Sequence, residues 1–138
     1  MLLSTLIHPP LIRALAAAGH GSKVLLADGN YPHSTGAERA VERIYLNLRP
    51  GLLDVDQVLD AVLASVPIEE ATVMIPDDDT PVPAHAGFRE RLESNASWQE
   101  LGRFDFYDAC RSPDLALLVA TGDQRIYTNL LLTIGVRA

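Results

Sequence analysis

Cysteine is almost absent from the 138-residue sequence: Cys110 stands alone and cannot close an internal disulfide, which favours a reducing compartment. Basic residues are scarce as well, with 11 Lys and Arg against 18 Asp and Glu and a formal net charge of −7. Nucleic-acid binding by counterion release needs clustered Lys and Arg, and so does a polybasic membrane patch, so both classes are disfavoured. No apolar run approaches the ~18 to 20 residues of a membrane-spanning helix. The opening Met1-Leu2-Leu3-Ser4-Thr5-Leu6-Ile7 lacks the basic flank of a secretory signal and stops at His8-Pro9-Pro10. A soluble, cytoplasmic protein is expected.

Several site motifs are missing too. Without G-x-G-x-x-G or G-x-x-x-x-G-K-[ST], dinucleotide and P-loop chemistry lack their phosphate cradle, and there is no G-x-S-x-G nucleophile elbow. His8, His20, His33 and His85 include no pair at the spacing of a helical metal site. The run Asp77-Asp78-Asp79 lacks the Gly and distal Glu of an EF-hand loop and reads as a solvated turn. The expectation is a site with neither metal nor cofactor.

What remains is ordinary globular composition, 48% hydrophobic and 21% charged, at a length that suits one domain over residues 1–138. Leu and Ala dominate Leu11 to Ala18, after a Pro9-Pro10 helix start and before a Gly19 stop. Apolar residues recur at helical spacing from Leu52 to Val66, and further helices are expected over about Ala84 to Ser94 and Phe104 to Arg111. Short apolar runs at Lys23–Ala27, Ala71–Ile75, Leu115–Ala120 and Leu130–Ile134 read as buried strands, with a weaker candidate at Arg43–Asn47. Trp98 to Arg103 suits either state. Helices between continuously apolar strands imply an α/β fold, a three-layer α/β/α sandwich with the sheet covered on both faces.

Polar residues that a core would not require cluster at strand ends, where open α/β sheets bind ligands. In Gly19-His20-Gly21 the imidazole is approachable, and histidine as a class can exchange protons near neutrality; the plainer alternative is a polar residue after a helix stop. Asp28 closes the first strand, where it can hold a hydroxyl or simply begin an Asx turn. It lies eight residues from His20 with a strand between, which puts the two at opposite ends of that strand unless another subunit or loop joins them. Arg103, beside Phe104, Phe106 and Tyr107, can clamp a polyol or snorkel at the surface. Tyr127 and Asn129 offer a phenol and a carboxamide suited to neutral hydroxyls, or else occupy a connecting loop.

Taken in order, Ala18-Gly19-His20-Gly21, Asp28, Tyr31-Pro32-His33-Ser34, Arg103-Phe104-Asp105-Phe106-Tyr107, Thr121-Gly122-Asp123, Tyr127-Thr128-Asn129 and Gly135-Val136 resemble the D-ribose pyranase and L-fucose mutarotase family (RbsD/FucU), from Leu11 to Val136. The resemblance implies an RbsD-like fold and a cofactor-free isomerase that interconverts anomers or ring forms of a monosaccharide such as L-fucose. It implies His20 as catalytic acid/base, with Asp28, Arg103 and the Tyr127-Thr128-Asn129 segment binding the sugar; Tyr127 or water would serve as the second proton-transfer group. Arg103 is similar to the fucose branch, where the ribose branch has histidine. Gly29 in place of alanine and Thr128 in place of a small residue depart from the pattern and are expected to reshape the pocket. Family members form ring-shaped homo-oligomers, commonly decamers, with sites completed across subunit contacts. The alternative is a non-catalytic monosaccharide-binding module of the same fold. A metal-dependent hydrolase and a purely structural oligomer stand further off.

Overall fold

The computed structural model describes residues 1–138. Four helices, α1 (Pro9–Ala18), α2 (Val55–Leu63), α3 (Pro83–Leu92) and α4 (Arg103–Cys110), alternate with six strands: β1 (Lys23–Ala27), β2 (Glu42–Tyr45), β3 (Ile68–Met74), β4 (Ser97–Leu101), β5 (Leu115–Ala120) and β6 (Leu130–Ile134). The strands form one sheet in the order β2-β5-β1-β6-β3-β4. β1, β2 and β5 pair in parallel, as do β3 and β4, while β6 runs antiparallel to both β1 and β3. Five strands therefore point one way and β6 alone points back. No helix is long and apolar enough to cross a membrane.

Local chemistry sets the helix limits. Pro9 and Pro10 occupy the first turn of α1, and His8 Nδ1 accepts the Leu11 N–H at 3.3 Å. The apolar spacing from Leu52 gives way to a helix that begins only at Val55, because Asp54 caps it: Asp54 Oδ1 accepts from Gln57 N at 2.8 Å and Gln57 Oε1 accepts from Asp54 N at 3.1 Å. Trp98 to Arg103, readable either way in the sequence, holds the edge strand β4, and three of its five residues are exposed. An edge strand buries too little to need the apolar run that marks the central ones.

Alternate strand residues serve two cores. On one face Val24, Leu26, Val73, Leu117, Val119, Leu130 and Leu132 pack against α1, α2 and α3 through Leu11, Leu15, Val58, Leu59, Val62 and Phe88. On the other face Leu25, Leu118 and Leu131 meet Phe106 and Cys110 of α4, together with Tyr31. Both faces are covered as expected, though unevenly, since α4 and the Tyr31 loop cover the second face without another helix.

The loop from β5 to β6 is clamped onto the first core layer by charge. Asp123 is 2% exposed; its Oδ2 accepts the Val55 N–H at 3.0 Å and an Arg125 Nη2 contact at 2.7 Å, while Oδ1 accepts Arg125 N and Nε, each at 3.0 Å. Burial alone would raise the Asp123 pKa, but the donors from Arg125 and Val55 outweigh it and hold the carboxyl below its ordinary range. Asp56 joins Arg125 to Arg91 of α3, whose Nη1 lies 2.9 Å away, so loop, α2 and α3 share one ionic network. Asp123→Ala would orphan the first N–H of α2 and leave Arg125 half paired. The expected loss is about 2 to 3 kcal/mol after allowance for the partly exposed guanidinium, read as a lower urea midpoint with an unchanged slope.

Candidate active site

With five strands parallel and β6 reversed, the carboxyl ends of β1 and β3 and the start of β6 meet at one edge of the sheet. Strand order switches here, and ligands of α/β sheets bind at such crevices. A cavity of about 370 Å³ opens at this point, lined by Asp28, Asn30, Tyr31, Met74, Arg103, Tyr107, Ile126, Tyr127 and Asn129. Of the residues expected to contact a sugar, Asp28, Arg103, Tyr127 and Asn129 are brought together.

Asp28 leaves β1 buried, 2% exposed. Its Oδ1 accepts the N–H groups of Asn30 at 2.9 Å and Tyr31 at 3.0 Å, the Asx geometry expected at this turn. The same residue also lines the cavity. Its backbone is held on both sides: Asp28 N donates to Asn129 Oδ1 at 2.8 Å, and the His33 ring contacts the Asp28 carbonyl at 2.7 Å through Nε2. The Asn129 amide nitrogen is left for the cavity. Burial raises the Asp28 pKa, partly offset by the amides of Asn30, Thr128 and Tyr31.

Arg103 opens α4, and Tyr107 follows one turn later on the same face. The guanidinium carbon lies 5.7 Å from the ring centres of both Phe104 and Tyr107. Tyr107 meets Tyr31 edge to face at 5.6 Å, and Tyr31 Oη donates to the Gly36 carbonyl at 2.7 Å. Behind them Cys110 is fully buried, and burial pushes its thiol up to about 11, so it packs as an unreactive apolar group.

Thr128 sits differently from the sequence expectation. Its side chain is fully buried and donates through Oγ1 to the Arg125 carbonyl at 3.0 Å, and it does not line the Asp28 cavity. Gly29 also stays outside that cavity: it bonds the Asp123 carbonyl through its own N–H at 2.8 Å, and a Cβ there would stand 3.0 Å from the same oxygen. Neither residue contributes to the lining of the Asp28 cavity.

His20 is not in the cavity. It lies between Gly19 and Gly21, both at φ +81°, at the amino-terminal edge of the sheet, where Gly21 N bonds the Ile134 carbonyl at the end of β6. The five residues of β1 rise about 16 Å and separate it from Asp28. There its Nε2 meets both Glu69 carboxylate oxygens, at 3.2 and 3.1 Å, and the two side chains are 55% and 47% exposed. The separation read from the sequence is therefore real within one chain, and Glu69 is a partner the sequence did not flag. Tyr31, Asn30, Tyr107, Met74 and Ile126 were also absent from the expected site. Only Tyr107, one helical turn from Arg103, carried a readable spacing.

A model of the RbsD / FucU transport protein family matches residues 1–137. The chain belongs to this family. It is 35% identical to the fucose mutarotase of Bos taurus, over 96% of this chain and 91% of that protein. It is 32% identical to the D-ribose pyranase of Paracidovorax citrulli, over 96% of each. The crystal structure of the fucose mutarotase from Streptococcus pneumoniae in complex with L-fucose superposes with a TM-score of 0.81 at 26% identity, covering 96% of this chain and 95% of that one. Within an RbsD/FucU fold, a carboxylate, a carboxamide, a phenol and a guanidinium around one cavity form a set of donors and acceptors for a polyhydroxylated ligand.

The buried charge of Asp28 has a measurable consequence. Because the fold favours its neutral form, ionisation costs stability as pH rises through the raised pKa, and below the unfolded value of 3.8 the cost is gone. Asp28→Asn keeps a carbonyl for the two loop amides without the charge. It should melt above the wild-type chain at pH 7, and the gap should close as pH falls toward 3.8, as followed by thermal denaturation across pH.

Proposed function

We propose that this chain is a cofactor-free sugar isomerase that interconverts the anomers of a neutral monosaccharide, with L-fucose as the preferred class of substrate. The observation that carries the reading is the convergence of Asp28, Arg103, Tyr127 and Asn129 on one cavity of sugar size. The lining contains hydroxyl-binding groups, and Met74 and Ile126 add an apolar wall suited to the methyl group of a 6-deoxy sugar. The relatives named fucose mutarotase and D-ribose pyranase support the same reaction class.

The chemistry needs two proton transfers and no net bond change. One group removes the proton from the anomeric hydroxyl while another protonates the ring oxygen; the bond from the anomeric carbon to the ring oxygen breaks and an open aldehyde forms. Rotation about the adjacent carbon–carbon bond presents the other carbonyl face, and reversal of both transfers closes the opposite anomer. Tyr127 lines the cavity and supplies one transfer. His20 supplies the other, with Glu69 steadying the imidazole through Nε2. Asp28 and Asn129 hold hydroxyls, and Arg103 closes the rim.

His20 and Asp28 lie at opposite edges of one sheet, so the reading requires a second copy. His20 and Glu69 project from one subunit, half exposed, into the Asp28 cavity of its neighbour in a homo-oligomer. Two measurements test this. His20→Ala should lose about 10²- to 10⁴-fold in anomer exchange of L-fucose, followed by two-dimensional exchange NMR, with its melting temperature kept; undiminished exchange would remove His20 from the mechanism, and saturable binding without acceleration in the wild-type chain would identify a non-catalytic binding module. His20→Ala and Asp28→Asn, each inactive alone, should regain exchange when refolded together, because mixed contacts pair an intact His20 with an intact Asp28. No recovery in mixed oligomers would rule out a site shared between His20 of one copy and Asp28 of the next.

A further inference from the structure

Tyr127 divides two cavities. It lines the Asp28 cavity and also a larger groove of about 750 Å³ walled by Pro76, Asp77, Pro81, Pro83 and Arg125. Its backbone is left-handed, with φ 59°, a conformation that a bulky L-residue rarely adopts without external support. A phenol on such a peptide keeps its place only when neighbours hold the peptide on both sides.

One support is the bond from Thr128 Oγ1 to the Arg125 carbonyl, within the clamped loop. The other comes from a different element. His85, in the first turn of α3, meets the Tyr127 carbonyl at 2.8 Å through Nε2. A carbonyl only accepts, so Nε2 carries the proton and donates. His85 is 8% exposed, and its ring packs between Phe88 and Trp98, with ring centres 6.2 and 6.0 Å away. Burial pushes its pKa down, which keeps the imidazole neutral and its single N–H committed to this bond. His85 does not line the Asp28 cavity; it reaches the site only through the Tyr127 peptide.

We propose that His85 is a positioning residue: its hydrogen bond to the Tyr127 carbonyl fixes the left-handed peptide and so sets the phenol against the Asp28 cavity, closing it from the neighbouring groove. The proposal deepens the mutarotase reading and rests on it. His85 acts on the reaction solely through where the phenol stands, and this separates it from a residue that merely fills the core.

The test compares anomer exchange rates of L-fucose in four variants of the full chain: His85→Leu, His85→Gln, Tyr127→Phe, and His85→Leu combined with Tyr127→Phe. His85→Leu removes the donor and should slow exchange by about 10-fold or more, the scale of a misplaced proton-transfer group. His85→Gln keeps an N–H at similar reach and should restore most of the rate. In the Tyr127→Phe background, adding His85→Leu should cost less than about 2-fold, because the phenol that His85 positions is gone. Equal losses in both backgrounds, or a wild-type rate in His85→Leu, overturn the positioning role. His85→Met also lacks the donor and serves in the same comparison if His85→Leu does not fold. A wild-type chain that fails to accelerate exchange overturns the functional reading and this inference together, whereas an active wild-type chain with equal losses overturns this inference alone.

Discussion

The direction of β6 is the constraint on which the site depends. Inserted between β1 and β3 and running against both, β6 begins at the edge where its neighbours end. That reversal delivers Tyr127 and Asn129 to the carboxyl end of β1, where the Asn129 side chain accepts the Asp28 N–H at 2.8 Å. A parallel β6 would carry the same loop to the far edge, about 16 Å away at the strand rise. The antiparallel insertion therefore makes a switch point out of an otherwise parallel sheet, and the cavity follows from it.

The rigidity of this corner has identifiable sources. Asp123 ties the loop to the start of α2, Arg125 ties it through Asp56 to Arg91 of α3, and His85 holds the Tyr127 carbonyl from α3. Each of these groups lies beside the cavity lining rather than in it. Support of this kind lets polar side chains meet a ligand without a large ordering cost at the moment of binding. The buried Asp28 carboxylate is the opposing term: its charge is kept out of water and only partly compensated by loop amides.

Much of the fold is legible in the sequence because burial leaves a pattern. Val24-Leu25-Leu26-Ala27 and Leu115 to Ala120 are apolar at every position since both faces of the central strands are covered. Ser97–Leu101 is not legible, since an edge strand with exposed alternate residues carries no such run. Periodicity alone misplaces the start of α2, because it registers Leu52 and Leu53 as part of the apolar stripe and is blind to the capping box at Asp54. For the candidate site, Asp28, Arg103, Tyr127 and Asn129 are singled out in the sequence by the family resemblance, since residue type alone leaves each open to a structural role. Thr128 enters only through the same resemblance, and its hydroxyl turns to the Arg125 carbonyl. Met74 and Ile126 leave no signal, because an apolar residue at a strand end or in a loop resembles any other core residue.

Composition and periodicity were enough to indicate the class of fold and the functional groups available, because these are local properties of the chain, while the order of motifs along it carried the family resemblance. The same reading separated His20 from Asp28, because a five-residue strand has a known length. Folding in three dimensions was needed to sort the polar residues that face one cavity from those that face the core. It was needed as well to pair Glu69 with His20 and His85 with Tyr127. Those pairings join residues 49 and 42 positions apart in the chain. Contacts at such distances are fixed by strand order and direction, which local sequence patterns do not encode.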